Sequence, residues 1–389
     1  MWSRREFLNA TATGMAAMTF ERYVNSQAVG FSGAKSHQPP GKEKLMEALA
    51  EAGKPAEVVT SPDGTTVMLL PYGGRVLGVF SPGSEENFYW TNPALETIDS
   101  AKAFFASDDW QNTGGDRTWL APEVDIFFPE FPNLDKYVQP RRLDPGNYML
   151  VREDEKLRLV NRLEVTLSRS KKEVALQISK SVGPAPNPLR HERGKNLDGV
   201  EYAGYTQFTS LELLGDSANE DVEIGLWNLV QMPHGGDLLI PTYSRTEPKL
   251  FFGDIPSSDL LVSDQLVRFK MRQKGEHKIG VRAVATTGRV GYLFESGEKW
   301  SLIIRNFFVN PSGEYVDVPW KDEKDLGYST QACNVNSKLG SFSELEYHIP
   351  AIGKSTGRIR CDDTAQVWAF RGSRSQVVSI SKVLLSPLA

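Results

Sequence analysis

The chain has little that would hold a metal or a disulfide framework. In 389 residues there are two cysteines, Cys333 and Cys361, and five histidines, at positions 37, 191, 234, 277 and 348. Two thiols are too few for a disulfide scaffold or a thiolate metal site; in an oxidising compartment they suffice for one bond, and two unpaired buried thiols are the alternative. The histidines show no ligand spacing, so no metal or other cofactor is expected. No apolar run is long enough to span a bilayer as a permanent anchor. A basic stripe is also missing: 44 Lys and Arg are interspersed with 49 Asp and Glu, for a net charge of -5. Neutralising phosphates takes clustered cations, so nucleic acid is not an expected partner. No repeat of roughly 20–50 residues recurs, which argues against a solenoid or propeller. What remains is 40% hydrophobic and 24% charged, the composition of an ordinary globular chain.

The N-terminus reads as an address. Ser3-Arg4-Arg5-Glu6-Phe7-Leu8 matches the twin-arginine export motif, and a weakly apolar stretch, Asn9 to Phe20, follows it. Ser26-Gln27-Ala28 offers a small-residue cleavage site. Residues 1–28 are therefore expected to be a signal peptide, and the mature chain to be periplasmic or secreted. From 29 to 56 a Gly/Ser/Pro-containing linker leads into a short helix, Lys42 to Ala52, with Leu45, Met46, Leu49 and Ala50 on one face. Gly53 and Pro55 end it.

From Glu57 to the C-terminus the sequence predicts strands and turns and almost no helix. Alternating or β-branched runs include 65–71, 74–80, 157–167, 173–182, 202–214, 222–232, 238–242 and 266–271. Others are 278–285, 290–295, 300–308, 341–349, 365–370 and 377–385. Strands so spaced, bounded by Gly, Pro, Asn and Asp, predict an all-β sandwich or barrel.

Three segments carry candidate chemistry. In Phe342 to Ile349 the alternation puts Leu345, Tyr347 and Ile349 on one face and Glu344, Glu346 and His348 on the other. The two carboxylates then lie about 7 Å apart, at roughly 3.3 Å rise per residue. Such a face is either solvated surface or the polar floor of a groove, where repulsion and burial raise one carboxylate toward general-base range. Asn112 to Glu123 (NTGGDRTWLAPE) is either a tight turn carrying the Asp116-Arg117 ion pair or a sugar-holding segment, with the guanidinium on oxygens and the Trp119 indole against the apolar sugar face. Gly225 to Thr242 runs a strand bearing Trp227 and Gln231 into a Gly-rich loop with His234.

Together these segments resemble the galactose-mutarotase-like superfamily, in its uncharacterised bacterial branches. VMLLPYGGRVLGVF…NFYWTNPAL is similar to the first hairpin and following loop of that fold, and GGDRTWLAPE to its glycine-plus-arginine segment. EYAGYTQFTSLELLG, GLWNLVQMP and LLIPT are similar to its central strands, and SELEYHIP to the late strand carrying the catalytic glutamate. The resemblance implies a large antiparallel β-supersandwich over 57–389, a carbohydrate ligand in an open groove, and aldose-epimerase-like (isomerase) proton transfer. It implies Arg117 as the sugar-binding arginine and Glu344 or Glu346 as base; the residues themselves offer His234 or His348 as acid, with Asp116, Trp119, Trp227 and Gln231 expected to line the site. The family's His-x-Tyr-Phe segment falls near Gly225-Leu226-Trp227-Asn228, which has no histidine. A non-catalytic glycan-binding module and a glycan lyase or hydrolase remain the alternatives. Oligomeric state is not legible.

Overall fold

The computed structural model describes residues 40–389, apart from 154–155, 193–196, 321 and 323. The expected signal peptide and the linker up to residue 39 lie outside the described residues. Strands β1 to β4 are Glu57–Thr60, Thr66–Leu70, Arg75–Phe80 and Asp116–Ala121; β5 to β8 are Met149–Glu153, Lys156–Thr166, Glu173–Pro184 and Glu201–Leu213. Then come β9 (Glu223–Pro233), β10 (Asp237–Pro241), β11 (Lys249–Phe252), β12 (Leu260–Val262), β13 (Leu266–Lys270) and β14 (Gly275–Val281). The last are β15 (Arg289–Ser296), β16 (Lys299–Asn306), β17 (Thr330–Ser337), β18 (Gly340–His348), β19 (Ile352–Gly353) and β20 (Arg360–Gly372). The α-helices are α1 (Lys42–Glu51), α2 (Ile98–Ala106), α3 (Glu123–Phe127) and α4 (Arg374–Leu384).

The strands form two large antiparallel sheets, as the sequence predicts. One has the order β1-β2-β3-β4-β9-β18-β17-β14-β11, with β19 on β9; the other runs β12-β13-β10-β15-β16-β20-β8-β7-β6-β5. A single apolar cluster between them draws on residues from Val67 to Ala369. Burying one face of each sheet against the other is what makes a two-layer sandwich stable. The face of the first sheet that points away from the second carries the site.

Helix α1 is where its periodicity places it, with Leu45 and Leu49 packed on Met68, Leu70, Leu77 and Phe80. The C-terminal segment 377–385, expected as a strand, is instead part of α4. Ser373 and Gln376 form a reciprocal capping box there, and Val377, Ile380 and Leu384 bury one helical face on the second sheet. The β-branched content of the segment favours strand, but the cap and the 3–4 spacing decide the outcome. Helix α2 also lies where no helix is expected, opened by the Thr97–Ser100 capping box. Segment 112–123 is mostly strand: Gly114 and Gly115, at φ 95° and 71°, lead directly into β4. A Cβ on either would collide with the backbone carbonyl of Trp90 or Val76.

Candidate functional site

Strand register assembles the site. Lys278, Cys333, Glu344 and Gln231 stand opposite one another across β14, β17, β18 and β9. Two residues further along β18, Glu346 stands opposite Gln331 on one side and Leu229 on the other, and Leu229 opposite Arg117 of β4. Because the strand period is two, all these side chains share one sheet face. Helix α3 and residues from 110 and 137–139 cover that face, leaving a narrow cleft of about 60 Å³. Trp110, Arg117, Trp119, Glu123, Tyr137 and Trp227 line one part of it; Lys278, Cys333, Phe342, Glu344 and Glu346 line another. The open groove expected from the sequence is thus largely roofed over.

Arg117 is 2% exposed and donates from Nη2 to Glu344 Oε1 at 2.7 Å. The same oxygen accepts Gln231 Nε2 at 3.0 Å. Gln231 is fully buried, so it steadies Glu344 from beneath. The guanidinium carbon lies 4.0 Å from the Trp119 ring centroid, a cation–π contact, and the Trp119 indole N–H is held by Asp144 at 3.0 Å. Nε and Nη1 of Arg117 are buried without a hydrogen-bond partner. Buried donors of this kind are costly unless something arrives to accept from them.

Glu346, with no exposed surface, accepts the Trp227 indole N–H at 2.9 Å on Oε2, while its Oε1 has no partner. Burial, partly opposed by the nearby Lys278 and reinforced by Glu344, Glu123 and Asp317, pushes its carboxyl up to about 8. Lys278 sits 3.4 Å from Glu346, 3.5 Å from Glu123 and 4.2 Å from the centroid of the Trp227 ring. Burial alone would pull its ammonium down, but Glu123, Glu346 and Asp317 outweigh that and hold it above its ordinary value. Neither Lys278 nor Glu123 stands out in sequence: a lone Lys in a strand and a Glu after a proline carry no motif.

Four of the expected site residues do not line the cleft: Gln231, held against Glu344, and Asp116, His234 and His348. Asp116 precedes Arg117 on β4 and therefore points to the opposite face, between the sheets, where it binds Lys180 at 2.9 Å and Arg305 at 2.6 Å. It is no ligand contact, and the two charges read as a pair are split by the strand period. His234 follows the end of β9, half-buried on the loop that crosses to β10 in the other sheet and away from the cleft lining. His348 lies on the site face but is 2% exposed and stacked behind Trp227, with ring centroids 5.4 Å apart. Burial lowers its imidazole to about 4, so it is neutral at physiological pH. Arg117, Trp119, Trp227, Glu344 and Glu346 do meet at the cleft.

Both cysteines are free, Cys333 on the first sheet and Cys361 on the second. Cys333 Sγ and one oxygen each of Glu344 and Glu346 fall within 4.8 Å of one another. As a cation site the set is poorly matched. Each carboxylate already holds a fixed cation, and burial, with Glu344 and Glu346 adding to it, raises the thiol well above its ordinary value.

A two-sheet antiparallel β-protein with a buried arginine–glutamate cleft on one outer sheet face is the class defined by this geometry. The chain belongs to the family described as "Family of unknown function (DUF6786)", whose model matches residues 43–387. No curated protein matches the sequence. Among solved structures the chain is similar to a galactose mutarotase-like protein from Lactobacillus casei, with 8% identity and a TM-score of 0.41, over 81% of this chain and 99% of that one. It is likewise similar to a galactose mutarotase related enzyme from Lactobacillus acidophilus, with 9% identity and a TM-score of 0.41, over 82% and 97%. A galactose 1-epimerase from the same organism gives 8% identity and a TM-score of 0.39, over 82% and 94%.

Proposed function

We propose that the chain is an exported carbohydrate-binding protein whose cleft moves protons at a sugar ring, as an aldose epimerase does. The observation that supports this most is the Arg117–Glu344 pair. It offers a fixed carboxylate and two unsatisfied guanidinium donors beside a tryptophan plate. Glu344 takes the proton of the anomeric hydroxyl; the freed electron pair forms the carbonyl, and the bond from that carbon to the ring oxygen breaks. Glu346, protonated at neutral pH, donates its proton to the departing ring oxygen. Two carboxyls whose surroundings set them apart can divide acid and base duties in this way. Arg117 holds an oxygen of the sugar, in a cleft whose aromatic wall includes Trp110, Trp119 and Trp227. No histidine is needed in this scheme, which accounts for the lack of one in the lining.

Polarimetry of freshly dissolved α-D-glucose and α-D-galactose with the mature protein tests the reading. Mutarotation faster than in buffer is expected, abolished by Glu344→Gln with sugar binding retained. Binding without acceleration would make the protein a glycan-binding module, and a shortened or unsaturated oligosaccharide product would make it a hydrolase or lyase. Neither acceleration nor a thermal shift with any sugar tried would refute it altogether.

A further inference from the structure

Lys278 is surrounded by more negative charge than it can balance. Its Nζ lies 3.4 Å from Glu346 Oε2, 3.5 Å from Glu123 Oε2 and 4.0 Å from Asp317 Oδ2. All four residues are at most 5% exposed. The next cation, Arg117, is taken by Glu344. If all three carboxylates were ionised, the cluster would bury two uncompensated charges, so it must retain protons. Asp317 already has donors on both oxygens: they accept the Glu123 backbone N–H at 2.8 Å and Gln331 Nε2 at 2.9 Å. The two retained protons therefore belong to Glu123 and Glu346, both raised by burial, which each lie against the ammonium. Both also line the cleft, and Glu123 Oε1 accepts the Tyr137 hydroxyl at 3.1 Å.

We propose that Lys278 joins Glu123 and Glu346 into one proton-sharing unit, in which Glu123 is the reservoir that refills Glu346. After Glu346 has given up its proton, the Lys278 ammonium passes one of its own to Glu346 Oε2 as it takes up the proton of Glu123 Oε2, so that no free amine forms. The end state is a protonated Glu346, a restored ammonium and a Glu123 carboxylate. Such a route matters once a ligand excludes water from the cleft, because Glu346 then touches only the Trp227 indole N–H and Lys278. That consequence rests on the sugar-binding reading; the sharing itself does not. The charged and titratable groups around Glu346 are Glu344 on its own strand, Lys278 on β14, Cys333 on β17, Glu123 on α3 and Asp317 from the segment after β16.

Protein carrying carbon-13 at the glutamate carboxyls, titrated by NMR from about pH 4 to 10 without ligand, tests the unit. Groups coupled by more than about one pH unit titrate in shared steps. In the wild type, Glu123 and Glu346 should show two inflections at common pH values. In Glu123→Gln, Glu346 should show one, displaced by about one unit or more. The glutamine variants are near-isosteric, so the test does not depend on Lys278→Met folding. Independent single-step titrations overturn the proposal. On a sugar that is turned over, Glu123→Gln should displace the alkaline limb of kcat/KM, which reports the free enzyme, by the same amount as the NMR midpoint, which a structural role would not do. Coupling without any sugar turnover would defeat the functional reading and leave the unit standing.

Discussion

Arg117 and Glu344 are 227 residues apart in the chain and 2.7 Å apart in the fold. Both side chains are under a tenth exposed, so the contact works in a poorly hydrated setting where removing one partner strands the other.

That predicts an asymmetry in a mutant cycle. Arg117→Met or Glu344→Gln alone should each cost about 3–5 kcal/mol of unfolding free energy, since one buried charge loses its partner. The double variant should cost less than the sum. Urea unfolding of the four proteins measures this; additivity within about 0.5 kcal/mol would mean the pair carries no coupling.

Asp116 should matter for stability and not for ligand. It is the carboxylate between Lys180 and Arg305 in the sandwich interior, so Asp116→Asn leaves two buried cations short of a partner. A loss of about 3–5 kcal/mol is expected. A variant that folds normally but binds sugar poorly would return Asp116 to the site.

His348 and Glu346 should pull the stability–pH curve in opposite directions. The imidazole lies near 4 in the fold, below its ordinary 6.5, so its contribution is present above pH 6.5 and lost as pH falls through 4. The carboxyl lies near 8, above its ordinary 4.5, so its contribution is present below pH 4.5 and lost as pH rises through 8. Melting temperature relative to His348→Phe should therefore fall on acidification, and relative to Glu346→Gln on alkalinisation. Parallel curves for wild type and variant would contradict either assignment.

For export, residues 1–40 fused to a reporter should carry it across the membrane by the twin-arginine route, and Arg4-Arg5 changed to Lys-Lys should stop it. Export of the Lys-Lys fusion would show that the motif is not what is read.

The sequence tells much about strands and little about what covers them. In β18 the alternation correctly separates Leu345 and Tyr347 from Glu344 and Glu346. It leaves undecided whether the charged face is wet, because that depends on Arg117 and Lys278, which come from distant strands. Conversely, the adjacency of Asp116 and Arg117 suggests an ion pair that the strand period forbids. The capping signal Ser373-x-x-Gln376 is legible, but a run of valines and isoleucine masks it. The roof over the cleft, from Trp110, α3 and Tyr137, comes from irregular segments whose docking depends on tertiary packing. No periodic pattern announces it.

The neighbour order β4-β9-β18-β17-β14 has a consequence for biosynthesis. The late strand β18, ending at His348, inserts between β9 and β17, and its glutamates form the cleft floor. A nascent chain emerging from the ribosome therefore has no cleft until β18 has been made, and a product truncated before β18 would hold Arg117 and Lys278 with no Glu344 or Glu346 to meet them. Topology thus makes the cleft a late product of synthesis, available to a ligand only once β18 has joined the first sheet.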